Sequence, residues 1–172
     1  MLGVQGYVEA GEELLAQLPG LANAVVAVGS GGTMAGLVLA LGTEHVLGVD
    51  CGAVPDPEQV VARLAGSVPG DQQAARLRLR LDQVGSGYSA LTGQVKEAML
   101  TAARTEGIVL DPVYTGRAMT GLIAAVREGD IRPGEQTVFL HTGGLPGLLG
   151  HPAALAQAGS LLDAQSERWY PG

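Results

Sequence analysis

The stretch that most constrains this chain is Ala24 to Leu41, AVVAVGSGGTMAGLVLAL. Ala24 to Val28 is a short apolar run rich in β-branched residues, which suits a strand buried on both faces. Gly29-Ser30-Gly31-Gly32-Thr33 is a glycine-rich turn carrying two hydroxyls. Met34 to Leu41 is apolar again and reads as a helix. Strand, glycine turn and helix make half of a βαβ unit. The first N–H groups of that helix have no partner within it, and its dipole favours an anion there. Gly29 to Thr33 is therefore expected to hold a phosphate.

The rest of the chain fits one α/β domain spanning residues 1–172. Its net charge of -7 argues against nonspecific binding to nucleic acid or to an anionic membrane. An aromatic content of 3% leaves little to stack bases on. Cys51 is the only cysteine, so no internal disulfide forms. Two long uncharged stretches, Leu21 to Thr43 and Gln136 to Leu162, are broken by the first glycine turn and by Gly143, Gly144 and Pro146, which opposes a membrane span. No signal peptide is visible, and a cytoplasmic protein is expected.

Along the chain, Val4, Tyr7, Val8, Gly11, Leu14, Leu15 and Leu18 fall on one helical face, ending near Pro19-Gly20. His45 to Val49 reads as a second buried strand, and Glu58 to Leu64 as a short helix stopped by Gly66, Pro69 and Gly70. Arg76 to Asp82 alternates strictly and predicts a strand with a solvated basic face. Gly85 to Ser89 is a loop. Leu91 to Ala102 predicts a helix ending near Gly107. Asp111 to Gly116 is a loop entering another helix, with Met119, Leu122, Ile123 and Val126 inward. Thr137 to His141 reads as a buried strand, Thr142-Gly143-Gly144 as a second glycine turn, and an alanine-rich helix closes the chain. This order predicts a doubly wound, mostly parallel sheet flanked by helices, with both glycine turns at its carboxyl edge.

Several chemistries are weighed against these residues. No GK[ST] follows the first turn, so it is not a Walker motif. Gly29 and Gly31 fit a dinucleotide fingerprint, but Met34 stands at its third glycine. Asp50 lies roughly 20 residues after Gly29, the spacing of a ribose-binding acid, which keeps a dinucleotide enzyme as a rival. His45, His141 and His151 lack metal-ligand spacing, and no metal site is expected. There is no G-x-S-x-G elbow. Cys51 reads as a small buried residue.

With GSGGT, GSGYS, DPVYTG and HTGG in this order, and above all IVLDPVYTGRAM at Ile108 to Met119, the chain resembles the D-cysteine desulfhydrase and 1-aminocyclopropane-1-carboxylate deaminase family of pyridoxal-phosphate enzymes. That family has the tryptophan synthase β-like fold. The resemblance implies that Gly29, Ser30, Gly31, Gly32 and Thr33 hold the phosphate of pyridoxal phosphate. It implies that Thr115 faces the pyridine nitrogen, where desulfhydrases have threonine and deaminases glutamate. It also implies that Tyr88 and Tyr114 are the two active-site tyrosines.

The chain departs from the family in one respect. The family binds its cofactor covalently through a lysine in an N-terminal region. The only lysine here, Lys96, sits beside Glu97 and reads as a solvated surface residue, and Arg117 stands where the family often has lysine after YTG. The resemblance thus implies a phosphate-gripping C-terminal part of a D-cysteine desulfhydrase-type lyase, inactive alone, acting on a small amino acid with a lysine-bearing N-terminal partner. A 1-aminocyclopropane-1-carboxylate deaminase-like activity and a non-enzymatic remnant that only binds a phosphate-bearing ligand are the alternatives. The intact family is expected to form homo-oligomers. An apolar patch beside the glycine turns, prone to self-association, is expected too.

Overall fold

A computed structural model describes residues 2–66 and 77–156. The elements follow in the order α1 (Leu2–Gln17), β1 (Leu21–Val28), α2 (Gly32–Leu41), β2 (Val46–Asp50), α3 (Pro57–Leu64), β3 (Arg78–Arg80), α4 (Gly93–Glu106), α5 (Thr115–Glu128), β4 (Gln136–Phe139) and α6 (Leu145–Gly150). The strands form one parallel sheet in the order β3-β2-β1-β4. Parallel neighbours require crossovers, and the helices supply them on both faces.

Each face of the sheet has its own core. Ala24, Val26 and Val28 of β1 pack with Met34, Leu37 and Leu41 of α2 and with Val61 of α3, while Val4, Leu14 and Leu18 lean on this cluster from the α1 side. Val25 of β1 and Leu47 and Val49 of β2 point the other way, against Ala118 and Ala125 of α5. Neighbouring residues of β1 thus serve opposite faces, as the alternation of a strand requires. Helix α2 is apolar nearly all round because it lies between α1 and the sheet.

The helix boundaries follow local chemistry. Asp56 accepts the Gln59 N–H (3.1 Å) ahead of Pro57 and starts α3. Thr92 accepts the Val95 N–H (3.2 Å) and starts α4, which ends at Gly107.

Two strands differ from their sequence reading. β4 is a half-buried edge strand whose first residue, Gln136, is exposed, and His141 beyond it is exposed as well. Its apolar residues serve both faces, Val138 and Leu140 on the α2 side and Phe139 on the α5 side, but with one neighbouring strand they stay half-buried. β3 pairs over Arg78–Arg80, shorter than the expected Arg76 to Asp82, and Arg76 lies outside the described residues. Its basic face is half-buried and hydrogen-bonded rather than solvated, with carboxylate partners for Arg80 alone. Arg78 donates to Asn23 Oδ1 (2.9 Å) and to the Glu44 carbonyl (2.7 Å), and Arg80 forks between Asp82 and Glu128. Leu15, placed on the inward face of α1, is partly exposed. Pro69 and Gly70 lie outside the described residues, and the closing helix is described only over 152–156.

Candidate active site

Both glycine turns stand at the carboxyl ends of parallel strands: Gly29 to Thr33 after β1, and Thr142 to Gly144 after β4. β1 and β4 are neighbours, so the turns are neighbours too. Between them lies a cavity of about 530 Å³, walled by Gly29, Ser30, Thr33, Asp111, Tyr114 and the 142–147 segment. Among the described residues, no protein acceptor takes the N–H groups of Gly31, Gly32 or Thr33. The N-cap of α2 has no side-chain hydrogen bond either. Free helix-start donors beside two hydroxyls form a receptor for an anion.

The third wall is the loop entering α5, and its organiser is Asp111. Its carboxylate is almost fully buried and accepts from the N–H groups of Val113, Tyr114 and Thr115 (2.9, 2.9 and 2.8 Å). It takes the role of a helix cap from three residues further back than usual. The Thr115 hydroxyl accepts the Asp111 N–H (2.8 Å) and donates to the same carboxylate (2.7 Å). Both turns pack on this loop. A Cβ at Gly29 would stand 2.9 Å from the Tyr114 ring, and one at Gly144 would collide with the Asp111 carboxylate.

Tyr114 and Tyr88 meet edge to face, with ring centroids 6.0 Å apart and their hydroxyls hydrogen-bonded to each other. The bond to Tyr88, with some help from burial, pushes the Tyr114 phenol up to about 12. Tyr114 Oη is therefore a proton donor at neutral pH and not a base. The second turn is fixed by His141, whose Nε2 lies 2.9 Å from the Val109 carbonyl while its Nδ1 accepts the Gly143 N–H (3.3 Å). These partners assign the proton to Nε2.

The comparisons with known proteins agree with this geometry. A family model described as pyridoxal-phosphate dependent enzyme matches residues 1–143. The chain belongs to that pyridoxal-phosphate-dependent enzyme family. The solved structure of a protein described as the ACC deaminase homologue aligns with 35% sequence identity and a TM-score of 0.67, over 84% of this chain and 46% of that one. The present chain thus spans less than half the length of that homologue.

The residues present fit the phosphate end of the family's cofactor. The unpartnered N–H groups at the α2 start, with Ser30 and Thr33 on the cavity wall, offer the hydrogen-bond donors that a phosphate ester takes at a helix start. They do not supply the amine that captures its aldehyde. Lys96 is half-buried on α4, not the solvated residue expected, and it lines no part of this cavity.

Of the residues singled out from the sequence, Gly29, Ser30, Thr33 and Tyr114 meet in the cavity wall, and Tyr88 joins them through its hydroxyl. Gly31 and Gly32 form the start of α2 beside it. Thr115 departs from its expected place. It is fully buried, absent from the wall, and its single hydroxyl proton is taken up by Asp111. Asp50 is also outside the wall, and its carboxylate accepts the Gly52 N–H (2.9 Å) in a local turn. Cys51 is buried as read, and burial pushes its thiol up to about 12 despite the nearby Arg117 charge, so it is an inert thiol.

The sequence reading missed Asp111, Arg117 and His151. Asp111 was signalled by Asp-Pro ahead of a helix, a turn-and-cap pattern. Arg117 and His151 gave no such signal, because their partners are backbone carbonyls distant in sequence. Among the described residues, no cluster of three or more His, Cys, Asp or Glu is placed to hold a metal, and no helix is long and apolar enough to cross a membrane.

Proposed function

We propose that this chain is the phosphate-gripping part of a pyridoxal-phosphate-dependent lyase of the D-cysteine desulfhydrase type. Its substrate would be D-cysteine or a related small β-substituted amino acid, with pyruvate, ammonia and sulfide as products. The observation that carries this reading is the convergence of Gly29 to Thr33, the 142–144 turn and Tyr114 on one cavity. Bound there, pyridoxal phosphate supplies the electron sink for a carbanion next to the substrate nitrogen.

The chain's own residues divide the remaining work. The Gly32 and Thr33 N–H groups, with the hydroxyls of Ser30 and Thr33, bind the ester dianion. Tyr114 Oη, protonated at neutral pH, gives its proton to the Tyr88 hydroxyl, which leaves the Tyr88 proton as the one the pair can donate toward the substrate. Neither phenol removes the α-proton. That step needs an amine, and the proposal assigns it to a lysine-bearing N-terminal polypeptide that completes the site.

A deaminase acting on 1-aminocyclopropane-1-carboxylate is the second reading, favoured by the likeness to the solved ACC deaminase homologue. The resemblance sets Thr115 where the deaminases carry glutamate, which favours the desulfhydrase by sequence alone, since the Thr115 hydroxyl is turned to Asp111 and lines no part of the cavity. A dinucleotide enzyme loses its main support, since the Asp50 carboxylate is engaged with Gly52 outside the cavity.

The test adds pyridoxal phosphate and D-cysteine to the purified chain, with and without a lysine-bearing N-terminal segment of a related enzyme. The expected result is no sulfide from the chain alone and sulfide with pyruvate from the mixture. Rapid sulfide release by the chain alone, with cofactor fixed to it by borohydride, overturns the proposal. Ammonia and 2-oxobutyrate from 1-aminocyclopropane-1-carboxylate, with no sulfide from D-cysteine, selects the deaminase.

The exposed Leu145 and Leu149 follow the second glycine turn directly, and Val109 faces it through His141. We propose that this patch drives self-association of the chain. Light scattering is expected to show concentration-dependent oligomers, and a monodisperse monomer rejects that part.

A further inference from the structure

We infer that Arg117 and His151 are positioning residues that together hold the 87–90 loop, so that the Tyr88 hydroxyl meets Tyr114. Arg117 lies in the first turn of α5 and is fully buried. One arm of its guanidinium donates to the Cys51 carbonyl at the end of β2 (2.5 Å). The other shares its two protons among the carbonyls of Gly87, Tyr88 and Ala90, which lie 2.7, 2.8 and 3.0 Å away. The carbonyl that it leaves, Ser89, lies 3.0 Å from Nε2 of the buried His151. Every carbonyl from Gly87 to Ala90 is thus held by one of two buried side chains.

This arrangement is unusual for a loop. Short loops ordinarily turn their carbonyls to water. A cation at the start of a helix also opposes the helix dipole, so Arg117 sits where its charge is unwelcome. Arg117 Nε and His151 Nδ1 are buried without a partner among the described residues. Bulk packing would not require such groups. What they deliver is a fixed path for residues 87–90, and that path sets Tyr88 against the ring that walls the cavity.

A planar fork is essential to this role. Guanidinium presents donors in several fixed directions, whereas an ammonium is a single point on a flexible stem. Arg117→Lys keeps the charge but cannot span the Cys51 carbonyl and three loop carbonyls at once. His151→Gln keeps a donor for the Ser89 carbonyl, and His151→Ala removes it.

The consequence for catalysis rests on reading Tyr88 and Tyr114 as active-site tyrosines. The experiment is read on the cofactor-free chain without substrate, so its failure and the failure of that reading are told apart. Tyrosinate absorbance is followed to pH 11, with Tyr114→Phe identifying the share that belongs to Tyr114. Circular dichroism confirms that each variant is folded. Cys51 and Asp111, the other ionisable groups facing Tyr114, are unchanged in every variant.

With its phenol near 12, wild-type Tyr114 is about one-tenth ionised at pH 11. In Arg117→Lys and in His151→Ala the fraction is expected to rise severalfold, short of the about nine-tenths of an ordinary tyrosine near 10, because burial, Cys51 and Asp111 still hold the phenol up. His151→Gln is expected to restore the wild-type value. A folded Arg117→Lys with wild-type ionisation overturns the inference. So does a His151→Gln that behaves like His151→Ala, and that pair decides alone if Arg117→Lys does not fold.

Discussion

The two glycine turns have similar composition but are held in opposite ways. Gly29 to Thr33 lies between a buried strand and a buried helix, so the turn is clamped and its neighbours must adapt to it. Thr142 to Gly144 lies between a half-exposed edge strand and α6, a six-residue helix that buries no side chain. Here the turn must adapt. Both press on the Asp111 to Tyr114 loop, the first against the Tyr114 ring and the second against the Asp111 carboxylate. The site thus has one rigid jaw and one compliant jaw closing on a common wedge.

The largest expected effect comes from removing the wedge's internal brace. Asp111→Ala leaves the N–H groups of Val113, Tyr114 and Thr115 and the Thr115 hydroxyl without their shared acceptor. Each orphaned buried group costs about 1–3 kcal/mol, so a total loss of roughly 3–5 kcal/mol is expected after partial relaxation. Urea denaturation measures it. A loss below about 1 kcal/mol would mean that the loop stands without its carboxylate and that the two jaws close on something else.

Next come the glycines, which test the contrast directly. Gly144 has φ 125°, a region that strains any other residue, and an added Cβ would meet the Asp111 carboxylate. Asp111 is locked by its hydrogen bonds, so in Gly144→Ala the turn yields. About 1–3 kcal/mol of strain is expected, with weaker binding of phosphate esters and α5 unperturbed. In Gly29→Ala the Cβ meets one edge of the Tyr114 ring, which is 36% exposed and, beyond its packing, is tied only through its hydroxyl to Tyr88. Here the turn stays and the tyrosine yields, at about 1 kcal/mol. Amide chemical shifts distinguish the cases. Perturbation confined to 140–147 in the first variant, and to Tyr88 and Tyr114 in the second, is the expected pattern. The reverse pattern would exchange the rigid and the compliant jaw.

This contrast also marks what the sequence could disclose. The first jaw is legible because a β-branched run, a glycine turn and an apolar helix follow one another without a gap, and burial of each is local information. The DPVYTG loop is legible as a motif, but the role of Thr115 within it is not. A hydroxyl four residues after a carboxylate turns back to it, and only the folded loop shows this. β4 reads as fully buried because TVFLH is nearly all apolar, yet whether a strand is central or at an edge depends on sheet order, which composition does not encode. Arg117 is the least legible residue. It looks like a conservative exchange for lysine, and its partners are carbonyls, which no side-chain pattern announces.

A smaller effect separates the cavity from the neighbouring end of β2. Asp50→Ala removes the acceptor of the Gly52 N–H and is expected to cost about 1 kcal/mol. Because Asp50 does not line the cavity, phosphate-ester affinity by calorimetry is expected to stay within twofold of wild type. A larger loss of affinity would extend the rigid jaw to β2 and revive a ribose-type contact.

The smallest effect concerns the one part of the wedge that can swing. Tyr114 ionises at about 12 in the folded chain, against 10.0 for an ordinary tyrosine. Its folded-state value is raised, so the native state retains a proton that the unfolded chain releases. The stability linked to this group is complete below pH 10 and falls as pH rises from 10 toward 12. Tyr88→Phe removes the leading cause of the shift. Water can satisfy the partly exposed Tyr114 hydroxyl, so stability at pH 7 is expected to change little. The alkaline decline should flatten, because folded and unfolded Tyr114 then titrate closer together. Urea midpoints at pH 8, 10 and 11 for both proteins measure the difference in slope. An unchanged slope would mean that burial rather than the hydroxyl pair sets Tyr114, and the ring would then belong to the rigid jaw.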